Sequence, residues 1–187
     1  MLHGELYRDD PELTADRARA QGLLERYNAT SQAEADLRRA LLEELLGAAG
    51  DGIIVEPPFR CDYGTQITIG AGTFVNYDCA MLDVVPIVIG EDCQIASKVQ
   101  LLAATHPIDP GPRRARWESG EPITVGDNVW LGGGVIVCPG VRIGNDTVVG
   151  AGAVVARDLP AGVVAVGSPA KVLREIDERD RVEVPDA

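Results

Sequence analysis

His106 is the side chain in this sequence best suited to moving a proton. It is one of two histidines, and the other, His3, lies near the start. An unperturbed imidazole titrates close to neutrality, so its neutral form can take a proton from a hydroxyl at working pH. A lone histidine is as readily a structural or surface residue. Position favours chemistry here, because His106 stands where regular chain gives way to the irregular run Thr105-His106-Pro107-Ile108-Asp109-Pro110, beside which a base could be held firmly. No G-x-S-x-G elbow occurs and no cysteine is near His106 in sequence, so a covalent acyl-enzyme has little support. Cys61, Cys79, Cys93 and Cys138 form no C-x-x-C pair and read as small core residues. A catalytic zinc site needs about three protein ligands, and one histidine in the body of the chain does not supply them, so no metal is expected.

The elements that must hold His106 announce themselves by period. Ile69, Val75 and Met81, then Ile89, Ile95 and Leu101, then Val125, Leu131, Val137, Ile143, Val149 and Val155 recur on a six-residue pitch. Two positions before them sit compact or β-branched residues such as Ile67, Thr73, Cys93, Val99, Val129, Val135, Val141, Thr147 and Ala153. A strand this short cannot bury its apolar edge alone, so coils must stack like upon like. The pattern therefore predicts a mainly β protein, a parallel β-helix in which these twelve aliphatics supply four coils of a triangular prism. Glycine follows many of them, as at Gly70, Gly90, Gly126, Gly132, Gly144 and Gly150, and is expected to permit the bend between sides. Between Leu101 and Val125 the pattern lapses and returns in phase at Ile123. Residues 103–122 are thus expected to form a long inserted loop, of the kind that carries function more often than not.

Ahead of the repeat, Asp10-Pro11 opens a helix through Leu13, Leu23, Leu24 and Tyr27. Ser31 to Glu34 has the spacing of a capping box for a second helix, striped by Leu37, Leu41, Leu42, Leu45 and Leu46. Residues 1–50 are expected to be a helical cap on the prism, residues 51–170 the β-helix, and residues 171–187 a C-terminal tail. The cap covers open strand edges, and Asp9 or Asp10 could also offer a carboxylate to sugar hydroxyls. A formal charge of -12 disfavours nucleic acid and anionic membrane as partners. With no apolar run long enough for a bilayer and no export signal at the N-terminus, a cytoplasmic location is expected.

Several blocks go beyond a generic repeat: Gly4-Glu5-Leu6-Tyr7, Phe59-Arg60-Cys61-Asp62-Tyr63-Gly64, Asn76-Tyr77-Asp78-Cys79, Met81-Leu82-Asp83-Val84, Thr105 to Pro110, Asn128 to Gly133, and Gly167-Ser168-Pro169-Ala170. Together they resemble the maltose and galactoside O-acetyltransferases of the hexapeptide-repeat acyltransferases, from about Gly4 to Glu175. The resemblance implies a left-handed coil, where the usual rule for parallel crossovers would give a right-handed one. It implies a homotrimer with active sites between prisms, acetyl-coenzyme A as donor, and a sugar as acceptor. His106 matches the general base, Asn76 a polar residue near the acceptor hydroxyl, and Asp62 and Asp83 acceptor positions. Asp9 corresponds through a segment one residue shorter. Trp130, Gly133, Ala151, Arg157, Lys171 and Arg174 match donor-contacting positions, with the Gly133 N–H as the candidate oxyanion donor. Galactoside enzymes carry serine where Gly133 stands.

Residue by residue, blander readings remain open: Arg157, Lys171 and Arg174 as solvated charge, Trp130 as packing, and Arg113, Arg114 and Arg116 as solubilising loop charge. Other functions on the same prism are a metal hydratase like the γ-class carbonic anhydrases and a silent scaffold. Within the enzyme class, a galactoside or a xenobiotic alcohol are the alternative acceptors.

Overall fold

The structure is a computed structural model that describes Met1 and residues 4–183; His3 and the last four residues of the C-terminal tail lie outside the described residues. Two helices come first, α1 (Pro11–Asn28) and α2 (Ala35–Leu45). Asp10 caps α1 by accepting from the Leu13 N–H at 2.8 Å. The second helix starts later than the capping-box spacing predicts. Glu34 reaches back to the Ser31 N–H, but the Ser31 hydroxyl donates to the same Glu34 oxygen instead of accepting from the backbone, so the box closes a turn and the helix begins beyond it.

Strands then follow in threes: β1 (Ala48–Ala49), β2 (Ile54–Val55), β3 (Phe59–Cys61); β4 (Ile67–Ile69), β5 (Phe74–Val75), β6 (Cys79–Leu82); β7 (Ile87–Ile89), β8 (Gln94–Ile95), β9 (Gln100–Leu102). An excursion of β10 (Ala104–Thr105), the short α3 (Pro110–Arg114) and β11 (Ser119–Gly120) interrupts the series. It resumes with β12 (Ile123–Val125), β13 (Trp130–Leu131), β14 (Ile136–Val137), then β15 (Arg142–Ile143), β16 (Val148–Val149), β17 (Val154–Val155), and ends in β18 (Val163–Val166) and β19 (Lys171–Glu175). Every third strand pairs in parallel, giving a first face β1-β4-β7-β12-β15, a second face β2-β5-β8-β13-β16-β18-β19 and a third face β3-β6-β9-β14-β17. The chain is a parallel β-solenoid of about six turns, and its hexapeptide repeats fit a left-handed β-helix.

All twelve aliphatics of the six-residue pitch are buried in the prism, none above 2% exposed. The stack extends beyond the coils they define. Ala49, Val55 and Cys61 form an earlier coil on the same pitch, visible in the sequence but weakened by alanine and cysteine in the aliphatic slots. At the far end β19 folds back antiparallel onto β18, so the tail begins as part of the second face.

The glycines after the aliphatics serve a purpose other than bending. None of Gly70, Gly90, Gly126, Gly132, Gly144 and Gly150 has positive φ; the left-handed residues lie two positions on at the same corners, as at Gly72 (69°), Asp92 (54°) and Asn128 (51°). A Cβ on Gly70 would lie 2.5 Å from the carbonyl carbon of Gly90 in the next coil, and one on Gly144 2.4 Å from the Ala161 nitrogen. Absence of a side chain lets coils stack closely. Gly70→Ala is expected to destabilise the protein by about 2–3 kcal/mol through overpacking against rigid backbone. Gly133→Ala, whose Cβ would meet only the Ser97 carbonyl at 3.6 Å, should leave chemical unfolding nearly unchanged.

The helical pair closes the first coil. Asn28 bonds both the N–H and the C=O of Phe59 at 2.9 Å, Gln21 donates to the Cys61 carbonyl at 3.1 Å, and the Tyr27 hydroxyl donates to the Val55 carbonyl. These side chains satisfy backbone groups that a next strand would otherwise take up. Among the described residues no helix is long and apolar enough to cross a membrane.

Candidate active site

The excursion is a structured hairpin, where the sequence suggests only a loop. Its base is the antiparallel pair β10–β11, with Ala104 opposite Gly120 and Thr105 opposite Ser119. His106 is the first residue past that ladder and its ring is exposed. Asp109 caps α3 by accepting from the Gly111 N–H at 2.9 Å. Arg113, on the last turn of α3, reaches back to the chain just after His106 and donates to the carbonyls of Pro107 (2.9 Å) and Ile108 (2.7 Å).

The candidate residues separate onto two edges of the prism. Asp62 and Asp83 follow strands of the third face and so lie at the edge between the third and first faces, the edge at which the hairpin carrying His106 leaves the prism after β9. Asn76, Gly133 and Ala151 occupy turns between the second and third faces, with Trp130 on the outer side of the second face, 54% exposed. One whole face thus separates His106 from Asn76 and Gly133 within a single chain. Height along the prism orders them too, at about 4.8 Å per coil. Asp62 belongs to the first coil, Asn76 to the second, His106 leaves between the third and fourth, Gly133 belongs to the fourth and Ala151 to the fifth.

The lower level is acidic and hydroxyl-rich. Asp9 is held by two bonds from Arg17 at 3.0 Å, which push its carboxyl below the usual range; Arg17 also donates to the Tyr63 hydroxyl at 2.8 Å and lies over its ring. Tyr7 pairs with Glu118 through both backbone bonds, and its hydroxyl donates to the Glu118 carboxylate at 3.1 Å. Arg8 stacks on Trp117, so the N-terminal arm is clasped to the returning limb of the excursion. A cleft lined by Arg8, Asp9, Asp10, Arg116, Trp117 and Glu118 results, its three carboxylates set against two guanidinium groups. Burial pushes the Asp62 carboxyl up. Sequence reading missed Arg17, Tyr63, Tyr7, Glu118 and Trp117; only Tyr7 and Tyr63 fell in recognised blocks, and apart from Arg17–Asp9 the contacts span more than 40 residues.

Asp83 does not face this cleft, contrary to its expected place among the acceptor contacts. It is fully buried; one oxygen accepts from the N–H groups of Asp62 (3.0 Å) and Tyr63 (2.9 Å), the other from that of Gln66 (3.2 Å). Both oxygens are thereby taken up in fastening the corner that carries Asp62 and Tyr63. Asp83→Ala should cost about 2–3 kcal/mol, since it leaves the buried Tyr63 N–H and the part-buried N–H groups of Asp62 and Gln66 without their acceptor. Burial outweighs those bonds and pushes the Asp83 carboxyl up to about 6. The folded protein therefore keeps a proton that the unfolded chain has released between pH about 4 and 6, so the contribution of this group falls as pH rises through that window. Urea titrations should find the gap between wild type and Asp83→Ala wider at pH 5 than at pH 7.

The upper level is basic and open. Arg157 and Lys171 line one cleft with Ala156, Pro169 and Ala170, and neither forms an ion pair among the described residues. Arg174 is otherwise engaged, bound at 2.6 Å through two nitrogens to the Asp180 carboxylate. On the edge between the second and third faces, in the fourth and fifth coils, the N–H groups of Gly133 and Ala151 have no hydrogen-bond partner among the described residues. Free N–H groups leading to two free cations fit a long polar ligand with anionic groups at one end.

Comparison with known proteins gives the same picture. Residues 1–50 match the maltose acetyltransferase hexapeptide capping motif, and residues 122–157 the bacterial transferase hexapeptide of six repeats. The chain is 47% identical to nodulation protein L of Rhizobium meliloti, over 92% of this chain and 94% of that protein. It superposes on a maltose O-acetyltransferase from Clostridium difficile 630 with a TM-score of 0.93 at 44% identity, covering 95% of each chain. On a galactoside acetyltransferase in complex with coenzyme A the TM-score is 0.92 at 36% identity, covering 95% of this chain and 90% of the other.

Proposed function

Because this chain belongs to the maltose and galactoside O-acetyltransferase family of hexapeptide-repeat proteins, we propose that it moves the acetyl group of acetyl-coenzyme A to a sugar hydroxyl, with His106 as general base. The observation that carries this reading is the position of His106 in height. It lies between an acidic, hydroxyl-rich level suited to a polyol and a basic level suited to phosphates.

The two edges then call for more than one chain. Closed rotational symmetry about an axis parallel to the prisms involves no translation along it, so groups at equal height meet. His106, Asp62 and Asp9 of one chain would face Asn76, Trp130, Gly133 and Ala151 of its neighbour, and a trimer repeats that seam three times. Asp9 and Asp62 accept hydrogen bonds from acceptor hydroxyls, Asn76 lies nearest the reacting one, and Asp83 acts only by holding its corner. Arg157 and Lys171 hold the donor's phosphates, and Arg174 joins them only by exchanging Asp180 for phosphate. Trp130 flanks the thioester arm.

In the reaction, neutral His106 takes the hydroxyl proton as the oxygen attacks the thioester carbonyl. The unpaired Gly133 N–H bonds the developing oxyanion. Collapse breaks the carbon–sulfur bond, and the leaving thiolate takes the proton from His106. The acidic cleft favours a polyhydroxylated acceptor over an apolar alcohol. The test is thiol release from acetyl-coenzyme A across maltose, glucose, galactosides and an apolar alcohol. Arg157→Ala and Lys171→Ala should each raise the KM for acetyl-coenzyme A by about tenfold with kcat kept, as expected for removal of one charge-assisted phosphate contact. Release unaffected by any sugar would sink the reading.

A further inference from the structure

We infer that Arg113 is a positioning residue for His106, an inference that rests on His106 being the base. The chain before His106 is fixed by the β10–β11 ladder, which ends at Thr105. After it the ladder offers nothing; Pro107 is half-buried and Ile108 is 93% exposed. One nitrogen of Arg113, through its two hydrogens, holds the carbonyls of Pro107 and Ile108 at 2.9 and 2.7 Å. Among the described residues no other side chain bonds to residues 106–108. His106 is therefore gripped on one side by a strand pair and on the other by a single guanidinium. The grip is anchored in turn, since α3 is capped by Asp109 and the Arg113 N–H donates to the Asp109 carbonyl at 3.3 Å.

The geometry also separates this role from a structural one. Both carbonyls are at the surface and water can replace Arg113, so its loss should leave the fold intact while widening the range of His106 orientations. A lysine carries the charge but presents no planar pair of donors. Misplacement of a base by about 1 Å is enough to cost around 100-fold in rate.

Two measurements test this. Histidine side-chain NMR relaxation needs no activity and is simple in a chain with two histidines: the His106 ring should become more mobile in Arg113→Ala. Kinetically, Arg113→Ala should lower kcat by roughly 10- to 100-fold with the KM for acetyl-coenzyme A and the thermal midpoint kept. Arg113→Lys should recover part of the loss, and added guanidinium ion at non-denaturing concentration should restore part of it to Arg113→Ala. Unchanged His106 mobility, a kcat within threefold of wild type, or a loss that accompanies destabilisation and resists guanidinium would each overturn the inference. A wild type that releases no thiol would instead overturn the functional reading, and the relaxation result would still decide whether Arg113 orders the ring.

Discussion

His106→Ala is expected to reduce turnover by about 10³-fold while leaving acetyl-coenzyme A affinity within a factor of two or so, as removal of a general base does. The size follows from chemistry: a neutral sugar hydroxyl is a poor nucleophile, and proton removal by a positioned base is worth about 10²- to 10⁴-fold. The selectivity follows from place. His106 lies past the last β10–β11 pair and is exposed, so alanine disturbs no packing, and the groups proposed to hold the donor, Gly133, Ala151, Arg157 and Lys171, lie in other coils or on another edge. Thiol release under saturating donor measures the first quantity and equilibrium binding of coenzyme A the second. Wild-type turnover in the variant would remove His106 from the mechanism.

Mixing two inactive variants should restore activity. His106→Ala destroys the edge between the third and first faces, and Gly133→Phe should obstruct the edge between the second and third, because a side chain there points away from close backbone contact. If each site draws on both edges from different chains, random co-assembly in equal amounts leaves one seam in four intact, and about a quarter of wild-type activity returns. Each variant alone stays inactive. A site complete within one chain would give no recovery at any mixing ratio, since the two lesions would never be separated. Co-refolding with different tags measures this directly, and mixed trimers isolated from the product should retain about one intact seam in three.

Asp83 illustrates how a matched position can mislead. Its neighbours Met81 and Leu82 place it at a corner of the prism, and a carboxylate beside an acceptor cleft looks like a ligand to sugar. The decision is made by the backbone of the previous coil, which turns three N–H groups toward it. For Arg174, expected from the resemblance to contact the donor, the sequence says nothing of Asp180, six residues on, whose carboxylate accepts from its two terminal nitrogens. Arg113 is the converse, a charge that reads as solubilising until its hydrogen bonds are known.

What the sequence determined by itself was the prism and its interruption. A six-residue period is local information, repeated until chance is excluded, and stacking follows because no single coil can bury its own apolar edge. The position of His106 at the departure point was legible for the same reason. Only the tertiary structure decided which residues share an edge and a height: that His106 and Gly133 lie a face apart, that Asp9 is tied to Tyr63 through Arg17, and that the glycines yield space to the next coil instead of bending their own. Those relations join residues tens of positions apart, through hydrogen bonds and close contacts that no local pattern records.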